Sequence, residues 1–313
     1  MVVLMGGRSS EHEVSLASAG SVIAALRERG HEVQTIELGR GARWLPDAAA
    51  AETIARAEVV FPVLHGPFGE DGTVQGLLEL ADVPYVGAGV TASALCMDKD
   101  LFKSVLRDNE IPVTRNVTLR RRGEPRNPFG YPVFVKPARL GSSVGISKAH
   151  DDAELEAAVE LAFDHDEKVL VEEFVAGVEI EVGVLGNDRP TVSLPGQIVV
   201  TNNEWYDYAA KYEEGEMELV VPPKISPAEI ARARELARAA FVVAECEGMA
   251  RVDMFVREDG EVLVNELNTI PGFTSTSVYA KLFEASGVPY GELLDRLLAL
   301  ARERHDRKAS LRY

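Results

Sequence analysis

Arg251–Asn268 reads RVDMFVREDGEVLVNELN, two apolar runs flanking Asp259-Gly260. Asp-Gly between runs rich in Val, Leu, Met and Phe is a turn signal, so the segment is expected to fold as a β-hairpin. Counting outward from that turn sets Arg251 opposite Asn268 and Asp253 opposite Glu266. Strand side chains alternate between faces, so these four polar groups share one surface. Val252, Met254, Val256, Leu263 and Leu267 are expected on the other surface, against a core. Two opposed carboxylates, roughly 5 Å apart at Cβ, repel each other unless a cation intervenes. Mg²⁺ suits such a pair, because it takes one or two carboxylates together with substrate phosphate oxygens. Arg251 would stand beside the ion as a fixed cation for a developing anion. The plainer alternative is a solvated hairpin face.

The chain has 313 residues, 46% hydrophobic and 27% charged, the balance of a globular protein with room for more than one domain. A net charge of -17 disfavours broad binding to nucleic acid or to an anionic membrane. An anionic ligand such as a nucleotide therefore needs a local cluster of cations or metal. Two cysteines, Cys96 and Cys246, are too few for a disulfide framework and are expected as buried thiols. The opening MVVLMGG lacks a basic n-region, and no apolar run reaches membrane-spanning length. A cytoplasmic protein is expected.

Val2–Met5, Gly6-Gly7, a helix capped by Ser9 or Ser10 and running to about Arg29, and a strand over His31–Leu38 make a βαβ unit with a parallel sheet. Further strands are expected at Val59–Leu64 and Pro84–Val86, with the loop His65–Gly72 (HGPFGEDG) where ligands enter open α/β sheets. From Thr91 the character changes. A helix near Ser93–Asn109 leads to strands over Tyr131–Lys136 and Lys168–Glu173, with a helix over about Asp152–Phe163 between them. From Val178 come VEIEVGVLG and TVSLPGQIVV, and the loop Thr201–Met217 follows. Ser226-Pro227-Ala228-Glu229 is a capping box that opens a helix to about Glu247. The hairpin and helices near Thr276–Ala285 and Tyr290–Arg304 complete the chain. The division expected is 1–90, 91–177 and 178–313, in a mixed α/β and α+β fold.

Val135-Lys136-Pro137 before Gly141-Ser142-Ser143-Val144-Gly145 places a lysine at a strand end beside a loop whose N–H groups and hydroxyls could donate to phosphate. A plain hairpin turn with a surface lysine reads equally well there. No Walker loop and no GxGxxG is present. The loop Trp205–Tyr212 crowds four aromatics and Lys211 into a polar stretch, which suits a lid over a ligand. Taken alone, His65 would be structural and Glu13 a helix-face carboxylate.

GGRSSEHEVSL, HGPFGEDG, MDKDLFK, VKPARLGSSVGISK, EEFVAGVEIEVGVLG, YDYAAKY, ARVDMFV and NELNTIPGFTSTS, spanning residues 6–277 in this order, closely resemble the D-alanine–D-alanine ligases of the ATP-grasp superfamily. The resemblance implies a Rossmann-like N-terminal domain and a nucleotide gripped between central and C-terminal subdomains. It implies Lys99, Lys136 and Lys211 on ATP phosphates, Glu172 and Glu179 at adenine and ribose, and Phe174 and Val175 along the adenine slot. Asp253, Glu266 and Asn268 would be ligands of two Mg²⁺ ions, with Mn²⁺ as an alternative. Glu13 would receive the ammonium of a first D-alanine, near His65, in a hydrogen-bonded set with Ser142 and Tyr212. Ser277 would receive the carboxylate of the second, and Arg251 with the Gly272 N–H would hold an oxyanion. The implied activity is ATP-dependent dipeptide synthesis through an acyl phosphate for peptidoglycan precursors, by a homodimer. Rival readings are a ligase for D-serine or D-lactate, with Tyr212 favouring the dipeptide, and a nucleotide binder without catalysis.

Overall fold

The computed structural model describes residues 1–41, 47–120, 125–200 and 217–312. Three sheets organise the described chain, one parallel and two dominated by antiparallel pairs. In the first, β1 (Val2–Gly6) lies between β2 (Gln34–Leu38) and β3 (Val60–Pro62). The intervening helix His12–Glu28 starts later than expected. Neither serine before it caps it: Ser9 Oγ donates to the His65 carbonyl at 2.6 Å, tying the helix start to the ligand-entry loop.

The second sheet runs in the order β4 (Asn116–Leu119), β7 (Val169–Glu173), β5 (Val133–Pro137) and β6 (Ser147–Ala149). One face packs on the helix Asp152–Phe163 through Val133, Val135, Val169 and Val171. Alternation sends Phe134, Lys136 and Glu172 to the other face. The single helix expected near Ser93–Asn109 is two, Val90–Met97 and Lys99–Asp108, broken at Asp98. Asp98 leaves helical backbone, accepts from the Leu101 N–H at 3.1 Å and pairs with Lys168 at 2.7 Å. The break places Lys99 at the first turn of the second helix.

The third sheet runs β11 (Met217–Val220), β10 (Gly196–Val200), β8 (Gly177–Gly186), β12 (Gly248–Arg257) and β13 (Val262–Asn268), with β9 (Thr191–Val192) beside β8. Ser226 and Glu229 form the expected capping box ahead of the helix Pro227–Val243, which covers one face of this sheet.

The hairpin reaches its expected pairing by a different path. Arg251 faces Asn268 and Asp253 faces Glu266, as read from the sequence. The connection, however, is not a two-residue turn. Arg257 pairs with Glu261, and Gly260, at φ +88°, donates to the Arg257 carbonyl at 3.0 Å. The loop is therefore Glu258-Asp259-Gly260, the form that needs a left-handed residue at its end. A bulge then shifts the register between Asp253 and Met254, with Asn265 as the extra residue on β13. The longer loop and the bulge cancel at the polar pairs but not between them. Val262 and Val264, not Leu263, join Val252, Met254 and Val256 in the core, and Leu263 is buried on the opposite face.

Gly260 carries this turn at a backbone angle that a β-branched residue adopts only with strain. Gly260→Val is expected to lower unfolding free energy by roughly 1–3 kcal/mol. A urea midpoint equal to that of the parent would refute the left-handed assignment.

Candidate active site

A cavity of about 530 Å³ opens where the helix His12–Glu28, the loop after β3, the break between the helices Val90–Met97 and Lys99–Asp108 and the end of β13 converge. Among its lining are Lys99, Ser142, Arg251, Glu266 and Asn268. Toward the same space come His65, Gly272 and Ser277, brought from both ends of the sequence.

Glu11 is the carboxylate that meets Ser142. It is 6% exposed, and the Ser142 hydroxyl donates to it. Glycines make room for it: a Cβ on Gly66, at φ +72°, would come within 2.5 Å of Glu11 Oε2. Glu13 also borders the cavity, but its side chain is 74% exposed and pairs with Arg40 at 2.6 Å. The expected Glu13–Ser142 contact is therefore corrected to Glu11–Ser142. The helix begins at His12, so Glu11, just ahead of it, turns inward while Glu13, in the first turn, faces outward. Ser142 and Ser143 both sit at left-handed backbone angles, φ +50° and +58°, a strained loop typical of functional sites.

Arg251 grips Asp253 through two hydrogen bonds of 2.7 Å and lies 3.1 Å from Glu181, a fully buried carboxylate on β8. Lys99 Nζ donates to the Leu140 carbonyl at 2.8 Å and lies 3.3 Å from Glu266. Asp253, Glu266 and Asn268 thus share a face in which Arg251 and Lys99 already offset the carboxylates. Among the described residues no cluster of three or more His, Cys, Asp or Glu side chains is arranged to hold an ion by itself. Asp253 and Glu266 fit the donor set of Mg²⁺, which takes one or two carboxylates and completes its octahedron with phosphate oxygens and water.

A cluster of three buried charges joins the second and third sheets. Glu172 Oε1 accepts from Lys103 and from Thr114 at 2.9 Å, while Glu172 Oε2 lies 2.5 Å from Lys136 Nζ. Asn265, the bulge residue, accepts from Lys136 at 3.1 Å and from Lys103 at 3.5 Å. Burial pushes the Glu172 carboxyl up, but Lys103 and Lys136 outweigh it and hold the group below the usual carboxylate range. Burial also pulls Lys103 down to about 7, against the attraction of Glu172. Lys103 Nζ has three acceptors, Thr114, Glu172 and Asn265, one for each proton of an ammonium, so the ion pair is the form this geometry holds.

Phe174 stacks near Phe134 and under the Lys148 ammonium, 4.7 Å from its ring centre. With Val175 it lines a separate cavity of about 480 Å³. Glu179 lies opposite Phe255, on the face of Glu181 and Asp253. Lys211, Tyr212 and the rest of the aromatic loop lie outside the described residues. Cys96 and Cys246 are buried free thiols with sulfurs 3.7 Å apart. Glu11, Ser18, Glu70, Lys103, Glu181 and Asn265 were not singled out by the sequence. All but Ser18 lie within the motifs of the resemblance, but only the fold separates the inward groups from their neighbours.

Glu70 borders the cavity and accepts from the Gly66 N–H at 2.5 Å and the Ile270 N–H at 3.1 Å. Burial, then the Glu11 carboxylate, push it up to about 8 despite those bonds.

The chain matches the family models described as D-ala D-ala ligase N-terminus, over residues 1–57 and 46–88, and D-ala D-ala ligase C-terminus, over residues 105–299. A D-alanine–D-alanine ligase of Solibacter usitatus is 47% identical over 322 aligned residues, covering 100% of this chain and 98% of that protein. The structure of the D-alanine–D-alanine ligase from Coxiella burnetii is 36% identical, with a TM-score of 0.84 over 98% of this chain and 96% of that one. The VanG D-Ala:D-Ser ligase from Enterococcus faecalis is 35% identical, with a TM-score of 0.85 over 96% and 98%.

Two measurements probe the buried charges. Glu70 binds a proton more tightly in the folded than in the unfolded chain, so its contribution is complete below about pH 4.5 and is lost as pH rises toward 8. Glu70→Gln should flatten that slope, at most about 1.4 kcal/mol per pH unit, in urea unfolding from pH 5 to 8. A slope unchanged in the variant would show that Glu70 is not its source. Lys103→Met leaves Glu172 without its shortest partner and should cost about 3 kcal/mol or more, with Glu172→Gln in the same chain recovering part of the loss. Additive losses would show that the two residues are not coupled. The two family models together span most of the sequence, and the full-length relatives agree with them: the chain belongs to the D-alanine–D-alanine ligase family.

Proposed function

We propose that this chain joins two D-alanines with ATP, through D-alanyl phosphate, for peptidoglycan precursor synthesis in the cytoplasm, and that it works as a homodimer. One observation carries the chemistry: Glu11, Ser142, Lys99, Arg251, Gly272 and Ser277 line a single cavity. No helix among the described residues is long and apolar enough to cross a membrane.

A carboxylate is a poor electrophile, so the first D-alanine must be activated. Its carboxylate oxygen attacks the γ-phosphorus of ATP, the β–γ bridging bond breaks, and ADP leaves. Such a transfer needs placement and charge neutralisation above all. Glu11 takes the role expected of Glu13 and receives the first ammonium, with Ser142 fixing its carboxylate. Lys99 and Lys136 meet the phosphates, joined by Lys211. Glu172, with Glu179, serves the adenosine end beside Phe174 and Val175. Asp253, Glu266 and Asn268 would hold two Mg²⁺ ions, which when bound neutralise phosphate charge. The amine of the second D-alanine, its carboxylate at Ser277, then attacks the acyl carbon. The new C–N bond forms, phosphate departs, and the nitrogen loses its proton. Arg251 and the Gly272 N–H offset the oxyanion between these steps. Acyl phosphates hydrolyse, so the loop bearing Tyr212 is assigned to excluding water.

D-Serine is the second acceptor to consider, because the VanG D-Ala:D-Ser ligase is similar over nearly the whole chain. Incubation with Mg-ATP, D-alanine, D-serine and D-lactate together should give mainly D-alanyl-D-alanine by mass spectrometry, with matching ADP. A dominant mixed dipeptide or depsipeptide would move the acceptor, and ATP binding without product would favour the non-catalytic reading. Glu266→Gln removes charge from a half-buried cavity wall rather than from the core. It should cut turnover roughly a hundredfold or more while leaving the melting midpoint in place. Near-normal turnover at saturating Mg²⁺ would sink the metal assignment.

A further inference from the structure

Ser18 and His65 form a buried relay that the reaction above does not use. His65 Nδ1 lies 2.9 Å from the Ile270 carbonyl oxygen, and Nε2 lies 3.2 Å from Ser18 Oγ. A carbonyl only accepts, so Nδ1 carries a proton. Burial holds the imidazole below its ordinary range, with Arg251 acting the same way and Glu11 and the Ile270 carbonyl opposing, so the ring is neutral and Nε2 is bare. The single Ser18 hydroxyl proton then points to Nε2. This leaves a Ser18 lone pair for the Phe273 N–H, which donates to it at 3.2 Å. Ser18 and His65 are 1% and 4% exposed, so every polar atom in this chain of bonds is committed.

The two anchored residues bracket Gly272. Ile270 is held at its carbonyl by His65 and at its N–H by Glu70 and Asn268, each at 3.1 Å, and Phe273 is held by Ser18. Gly272 lies beside Ser277: a Cβ there would stand 3.4 Å from the Ser277 hydroxyl, in ordinary contact. We infer that Ser18 is a positioning residue. Through His65, held as the neutral Nδ1–H ring, it fixes Ile270–Phe273 and aims the Gly272 N–H into the cavity. His65 is then a strut and transfers no proton. The inference rests on the reading that Gly272 and Ser277 form the acceptor end.

Two arms test it on the full chain. In ¹⁵N-histidine spectra, with His65 assigned by its loss in His65→Gln, Nδ1 should appear protonated and Nε2 bare. Both signals should stay constant from about pH 5.5 to 8.5, the window in which an ordinary histidine titrates. An Nε2–H ring, or titration of His65 in that window, overturns the inference. In Ser18→Ala, the KM for the second D-alanine should rise about tenfold, the scale of one lost hydrogen bond, with the KM for ATP within about twofold. An unchanged acceptor KM, or an equal rise for ATP, overturns the positioning role. If Ser18→Ala does not fold, the spectra decide alone. A parent chain that makes no D-alanyl-D-alanine refutes the proposed function, while the ring assignment still stands or falls on its spectra.

Discussion

The polar face of the hairpin depends on one extra residue in β13. Without the bulge at Asn265, the side chains after it would alternate out of phase with those of β12. Glu266 and Asn268 would then face the packed helix instead of Asp253 and Arg251. A one-residue slip inverts a strand's faces, so the bulge decides whether two carboxylates meet in a cavity or are buried without partners. Neighbouring groups brace the bulge. Val264 exchanges hydrogen bonds with Pro112 and Thr114, at 2.9 and 3.2 Å, and the Asn265 side chain takes up Lys136. The irregularity thus serves as the joint at which two sheets touch.

The same joint explains how an acidic chain presents cations. With a net charge of -17, isolated lysines on the surface would be screened by surrounding acids. Here Lys103 and Lys136 are instead buried against Glu172, and Lys99 against Glu266. A buried pair adds little net stability, because desolvation offsets most of the attraction. What it provides is a fixed place for each charge. Arg251, held between Asp253 and Glu181, is fixed in the same manner.

Much of this was legible in the sequence, though not always for the right reason. The pairing of Asp253 with Glu266 was read from a two-residue turn, whereas the real loop is longer by one and the bulge compensates. Leu263 betrayed the difference: its expected place went to Val262 and Val264. The capping box at Ser226 and the helix Asp152–Phe163 held because local hydrogen bonds decide them. The cap expected from Ser9 or Ser10 failed because tertiary contact overrode it, with Ser9 committed to the His65 carbonyl. The contact expected between Glu13 and Ser142 failed for a related reason. Two glutamates two residues apart look alike in a string, and only the start of the helix decides which turns inward. Lys103 and Ser18 carry little local signal, since their partners Glu172 and Phe273 lie 69 and 255 residues away.

These misses share a physical origin. Periodicity reports which face of an element is apolar, and it is silent on which polar group will be desolvated when elements from opposite ends of the chain converge. The cavity is built at such a convergence: Glu11 and His65 arrive from the first sheet, Lys99 from a helix break, and Gly272 from beyond the last strand. The glycines at 66 and 141 are legible as turns, yet their role is to let the Glu11 carboxylate pass, as the 2.5 and 3.0 Å approaches of a hypothetical Cβ make clear. A site assembled this way draws its described polar groups from, or from beside, elements that are themselves packed. That is the preorganisation required when a reaction proceeds by placement and charge rather than by a covalent bond to the protein.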